Sequence, residues 1–77
     1  MIKEFSLHSL QQMHDRFKGR KEVLDLVRHG QLEDYRYIKT YVQNDETRKL
    51  YEIQHNVYIV LNMDDRLITI FERYKNV

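Results

Sequence analysis

Seventy-seven residues, 42% hydrophobic and 32% charged, leave room for one domain built around one small core, and they lack the low hydrophobicity of a disordered chain. Thirteen Lys and Arg against twelve Asp and Glu give a net charge of +1, which excludes a strongly basic protein that coats DNA. Cysteine is absent, so disulfide staples, thiolate metal centres and thiol catalysis are excluded, and no apolar run approaches the roughly 18 residues of a membrane span.

The first ten residues, MIKEFSLHSL, hold no apolar stretch of signal-peptide type, so a cytoplasmic location without membrane contact is expected. Ser6 can cap a helix over about 7–17, because its hydroxyl can accept from an orphan amide of the first turn. Leu7, Leu10, His14 and Phe17 recur at intervals of three and four and predict the buried face of that helix. Gly19 interrupts the pattern. A second amphipathic run over about 21–29 turns Val23, Leu24, Leu26 and Val27 inward and stops at Gly30, read as a left-handed cap.

Beyond Gly30 the periodicity changes to two, and β-branched and aromatic residues dominate to about residue 74. Tyr35, Tyr37, Ile38, Tyr41 and Val42 mark a first strand, residues 50–54 a second, 57–61 a third and 67–73 a fourth. Asn44-Asp45, His55-Asn56 and the segment from Asn62 to Asp65 supply tight turns between them. The third strand is apolar on both faces and belongs in the centre. In the fourth, Ile68 and Ile70 should face one way and Leu67, Thr69 and Phe71 the other. The predicted fold is α+β, one domain over 1–77, with two N-terminal helices on one face of a roughly four-stranded antiparallel meander.

Three groups of residues can carry function. His8, Gln12 and Arg16 lie four apart and form one polar helical stripe, in which a histidine can move a proton and an arginine can hold a phosphate. The bland alternative is a solvated helix face. Arg16, Lys18, Arg20 and Lys21 cluster around Gly19 without an acid, which suits nucleic-acid phosphate or an ordinary solvated loop. Tyr35, Tyr37 and Tyr41 share one strand face with Glu33 and Lys39 and can stack bases, cement a protein interface or pack beneath the helices. Asp64-Asp65 and residues 44–46 lack the ligand spacing of a calcium loop, and neither a metal nor a cofactor is assigned.

In its order of elements and in the segment running from His8 through Gln12 and Met13 to Arg16, the chain resembles small bacterial and phage domains of unassigned function. These are grouped with the barnase, EndoU, colicin and RelE arrangement of RNase toxins, open with a helix reading His-x-x-x-Arg-Met-x-x-Arg, and end in a strand containing a threonine. The resemblance implies His8 as acid or base, Arg16 as a phosphate-holding residue and Thr69 as a hydroxyl near the scissile phosphate. Gln12 stands where that pattern has arginine.

The first expectation is therefore a metal-independent ribonuclease-like domain of toxin or phage type, with Lys18, Arg20 and Lys21 holding the RNA backbone. The second is a phage or mobile-element protein that binds and inhibits a host protein through Tyr35, Tyr37 and Tyr41 or an open strand edge. The third binds nucleic acid without cutting it. The partners implied are RNA, a host protein or an antitoxin.

Overall fold

The computed structural model describes residues 2–73. The chain runs β1 (Glu4–Phe5), α1 (Leu7–Phe17), α2 (Lys21–His29), a short 3-10 turn (Leu32–Asp34), β2 (Arg36–Gln43), β3 (Glu46–Gln54), β4 (Val57–Asn62) and β5 (Arg66–Glu72). The fold is α+β, two helices with a five-stranded mixed sheet in the order β1-β5-β4-β3-β2. Strands β2 to β5 form the expected antiparallel meander, with β4 in the centre of the sheet. The expectation of four strands is corrected by β1, which pairs parallel to β5, Glu4 with Arg66 and Phe5 with Leu67. Two residues carry no readable period, and their pairing depends on a partner more than sixty residues away. Tyr74, at the end of the expected sheet, lies outside the described residues.

The turn chemistry is that of side chains tolerating left-handed backbone. Asn44 and Asp45 have φ of 54° and 62°, the pairing a two-residue hairpin demands, and Asn56 and Asp65 have φ of 65° and 61°. Asn62 Oδ1 accepts from the N–H groups of Asp64 at 2.9 Å and Arg66 at 3.0 Å, closing the last reversal.

Met13 and Phe17 of α1 and Val23 and Val27 of α2 meet Tyr51, Ile53, Val57, Ile59, Leu61, Leu67 and Ile70 of the sheet in one buried cluster. The α1 face differs from expectation by about a quarter turn of helix. Ser9, Met13 and Phe17 are buried, whereas Leu7 is 80% and Leu10 48% exposed. The rotation is fixed by Ser6, whose hydroxyl accepts from Ser9 N–H at 3.1 Å and donates to Ile68 O at 3.0 Å on β5. Ser9 can be buried there because its own hydroxyl donates to Ser6 O at 2.8 Å. In β5 the simple alternation fails at a bulge: Val60 pairs with Thr69 and Leu61 with Leu67, so Ile68 is the extra residue and Leu67 and Ile70 both reach the core.

Gly30 closes α2 with extended backbone, φ −72° and ψ 149°, not the left-handed cap expected. Space, not φ, requires the glycine: a Cβ there would lie 2.5 Å from Leu26 O and 2.8 Å from the Tyr35 hydroxyl. That hydroxyl donates to Leu26 O and lies 3.3 Å from Gly30 O. Gly30→Ala should therefore cost about 1–3 kcal/mol in urea melts, while Gly19→Ala, whose Cβ meets nothing within 4 Å, should stay within about 0.5 kcal/mol. Equal stability of both variants would overturn this packing. Burial, with the charge of Asp34 adding to it, pushes the Tyr35 phenol up from 10.0 to about 12. The folded state thus holds that proton more tightly than the unfolded one, so the contribution is complete below pH 10 and lost as pH rises toward 12. Between those limits the wild type should lose stability more steeply than Tyr35→Phe.

Candidate nucleic-acid interface

The polar stripe of α1 divides. His8 and Arg16 are exposed and make neither a hydrogen bond nor an ion pair among the described residues. Gln12 turns to β5, where its Oε1 accepts from the Thr69 hydroxyl and from Ile70 N–H at 3.1 Å. Thr69 is thus joined to Gln12 and to neither His8 nor Arg16, and its hydroxyl proton is committed. A guanidinium at position 12 has five donors and no acceptor, so it could not take up the Ile70 N–H.

Around Gly19, Lys18 and Lys21 are exposed, but Arg20 is held within the chain. Its guanidinium pairs with Glu72, lies 3.3 Å from Glu22 and sits 5.9 Å from the Phe17 ring centre. The hydrogen bond to Glu72, offset in part by desolvation, holds its pKa above the ordinary value. Arg20 ties the break between the helices to β5, and its charge is already matched.

The shared face of Tyr35, Tyr37 and Tyr41 is corrected by a second bulge. Tyr37 pairs with Tyr51 and Lys39 with Leu50, so Ile38 is an extra residue that reverses the alternation. Tyr35 is 6% exposed, in the core, with its ring edge-on to Tyr51 at 6.3 Å. Tyr37 lies on that same side, 5.7 Å from the Tyr51 ring, with its hydroxyl 2.6 Å from Thr40 Oγ1. Of the three, only Tyr41 reaches the opposite face.

That opposite face carries a cleft of its own. Lys39, Tyr41, Leu50, Val60, Phe71 and Arg73 line a shallow cleft of about 260 Å³ across four strands. Tyr58 stacks on Phe71, centroids 5.4 Å apart and planes 18° apart. Lys39 Nζ lies 5.7 Å from the Tyr41 ring and the Arg73 guanidinium 5.8 Å from that of Phe71. Glu52 on this face is matched by Arg36 at 3.0 Å, and Arg48, opposite Tyr41 in register, lies 3.6 Å from Glu46. Lys39 and Arg73 make no ion pair among the described residues. The cleft combines flat rings with unmatched cations, the pair of features that holds a base and its phosphate. In the sequence its signal is the alternation of Tyr58 with Val60 and of Phe71 with Arg73, visible only once the bulges are placed.

Compared with models of known families, with curated proteins and with solved structures, the chain matches none.

Gln12→Ala should cost about 1–3 kcal/mol in urea melts, because it leaves a partly buried N–H and a hydroxyl without their acceptor. Gln12→Glu keeps an acceptor and should retain most of the stability; Gln12→Arg should not. Equal melting of Gln12→Ala and wild type would show that this bridge contributes nothing.

Proposed function

We propose that the chain is an RNA-binding domain that holds single-stranded RNA on the open face of its sheet, between Lys39 and Tyr41 on one side and Phe71 and Arg73 on the other. The observation that carries this reading is the juxtaposition of stacked or cation-capped rings with two unmatched cations in one cleft. Unpaired bases present flat faces for stacking, and the cations lie where the backbone would pass. The ribonuclease reading drawn from the motif asks more, namely that His8, Arg16 and Thr69 serve one phosphate. With Thr69 bonded to Gln12, capture without cleavage is the reading better supported.

A second reading, a protein partner added as a strand, is favoured by β2. It ends the sheet, pairs only with β3 among the described residues, and exposes Tyr37 at 54% and Val42 at 68%.

The test is fluorescence anisotropy with a labelled single-stranded RNA of about 12 nucleotides at about 50 mM salt. Binding should weaken with salt, and Lys39→Gln or Arg73→Gln should each lower the salt slope by about 0.7. Tyr41→Ala and Phe71→Ala should each weaken binding by roughly 5- to 100-fold, the worth of one stacked base. His8→Ala should change nothing. Absence of binding would remove the RNA readings and leave the β2 edge, while chelator-resistant cleavage abolished by His8→Ala would restore the ribonuclease.

A further inference from the structure

The rotation of α1 leaves an apolar stripe that the core does not use. Leu7, Leu10 and His14 follow one another at three- and four-residue spacing along α1, Leu10 and His14 lining a cleft toward α2, Leu7 continuing the stripe beyond that cleft and Lys18 lying one turn further on. Across from them α2 presents Leu24 and Arg28, also one turn apart. Between the helices lies a cleft of about 180 Å³ with Leu10, Met13 and Leu24 as its apolar walls and His14, Lys18 and Arg28 at its rim. No carboxylate lines it. Arg28 and Lys18 make no ion pair among the described residues.

We infer that this groove is a docking site for an acidic amphipathic helix of a partner protein. A helix laid along the groove would cover Leu7, Leu10 and Leu24 with apolar residues at i, i+3 or i+4, and i+7, the spacing by which helices read grooves. Carboxylates flanking that stripe would meet His14, Lys18 and Arg28, and charge complementarity of this kind selects the partner and speeds its arrival. A second copy of this chain fits poorly. Its α1 offers one acid, Asp15, beside Arg16, and the acids of its α2, Glu22 and Asp25, are balanced by Lys21 and Arg28, so neither helix is the acidic segment that the rim calls for. An RNA phosphate could meet the rim but would leave the leucines uncovered. The surface lies on the helical side of the molecule, away from the cleft proposed for RNA, and the inference stands independently of that reading.

The test is selection of a displayed library of helical peptides of about 16 residues on the 77-residue chain, with sequence readout. Enriched peptides should carry Leu, Ile or Met at the groove spacing with Asp or Glu on both flanks. Amide chemical-shift changes on adding one of them should fall on residues 7–18 and 24–28. Leu10→Asp, and separately Lys18→Glu with Arg28→Glu, should each weaken that peptide at least tenfold while circular dichroism stays native. Leu7→Ser provides a second variant at a site so exposed that folding cannot depend on it, and it too should weaken binding. Enrichment without acidic bias, shifts elsewhere, or binding indifferent to Leu7→Ser and to the charge reversal would overturn the inference. So would retention on anionic lipid vesicles lost in the same variants, which would assign the groove to a membrane surface.

Discussion

The outer edge of β5 is closed by the chain's own beginning, and the rest of the molecule follows from how that closure is made. Lys3 N–H donates to Asp65 O at 2.9 Å, β1 pairs with Arg66 and Leu67, and Ser6 N–H donates to Leu67 O at 2.9 Å. The Ser6 hydroxyl then takes Ile68 O, and one turn and a half into α1 the Gln12 side chain takes Ile70 N–H. Backbone, hydroxyl and amide succeed one another as partners along a single edge that would otherwise offer unpaired donors and acceptors to any passing strand. The bulge at Ile68 sits within this stretch, and there the edge is met by side chains where a regular strand can no longer follow it.

This closure sets the rotation of α1, and the rotation decides what is buried. With Ser6 and Gln12 both tied to β5, the helix turns Ser9, Met13 and Phe17 toward the sheet, which leaves Leu10 at the cleft toward α2 and Leu7 in water. Charge is partitioned by the same geometry. Arg20 meets Glu72 and Glu22, and Lys49 meets Asp65 at 2.9 Å, so these three acids are matched within the chain. On the open face Glu52 is taken by Arg36 and Glu46 by Arg48, and the cations beside Tyr41 and Phe71 remain. A net charge of +1 thus conceals two locally positive surfaces, one aromatic and one aliphatic.

Local chemistry was legible in the sequence wherever it is decided by neighbours along the chain. Ser6 caps α1, the helices span residues 7–17 and 21–29 as their periodicity indicates, and Asn44, Asp45 and Asn56 turn the chain where left-handed backbone is needed. What stayed hidden is whatever depends on a distant partner. A strict period of two places Tyr35, Tyr37 and Tyr41 together, and one extra residue at Ile38 separates them. The same assumption misplaces Leu67, because Ile68 is bulged. Gly30 reads as a conformational necessity but is a steric one, visible only when Tyr35 is brought over it. Hydrophobicity alone assigns Leu7 inward, whereas a serine that satisfies its own hydroxyl is the residue the sheet accepts.

The same distinction bears on Gln12. Read along the chain, it is an uncharged member of a polar helical stripe with His8 and Arg16. Read across the fold, it is an acceptor gained: a side-chain carbonyl can close Ile70 N–H and the Thr69 hydroxyl together, which a group bearing only donors cannot do. An arginine here would leave the Ile70 N–H at the edge of β5 to be satisfied by water. In this chain the position serves the edge. The aromatic and cationic side chains of the proposed RNA cleft then lie on the open face of the sheet, where they contact one another and do not have to close a strand edge.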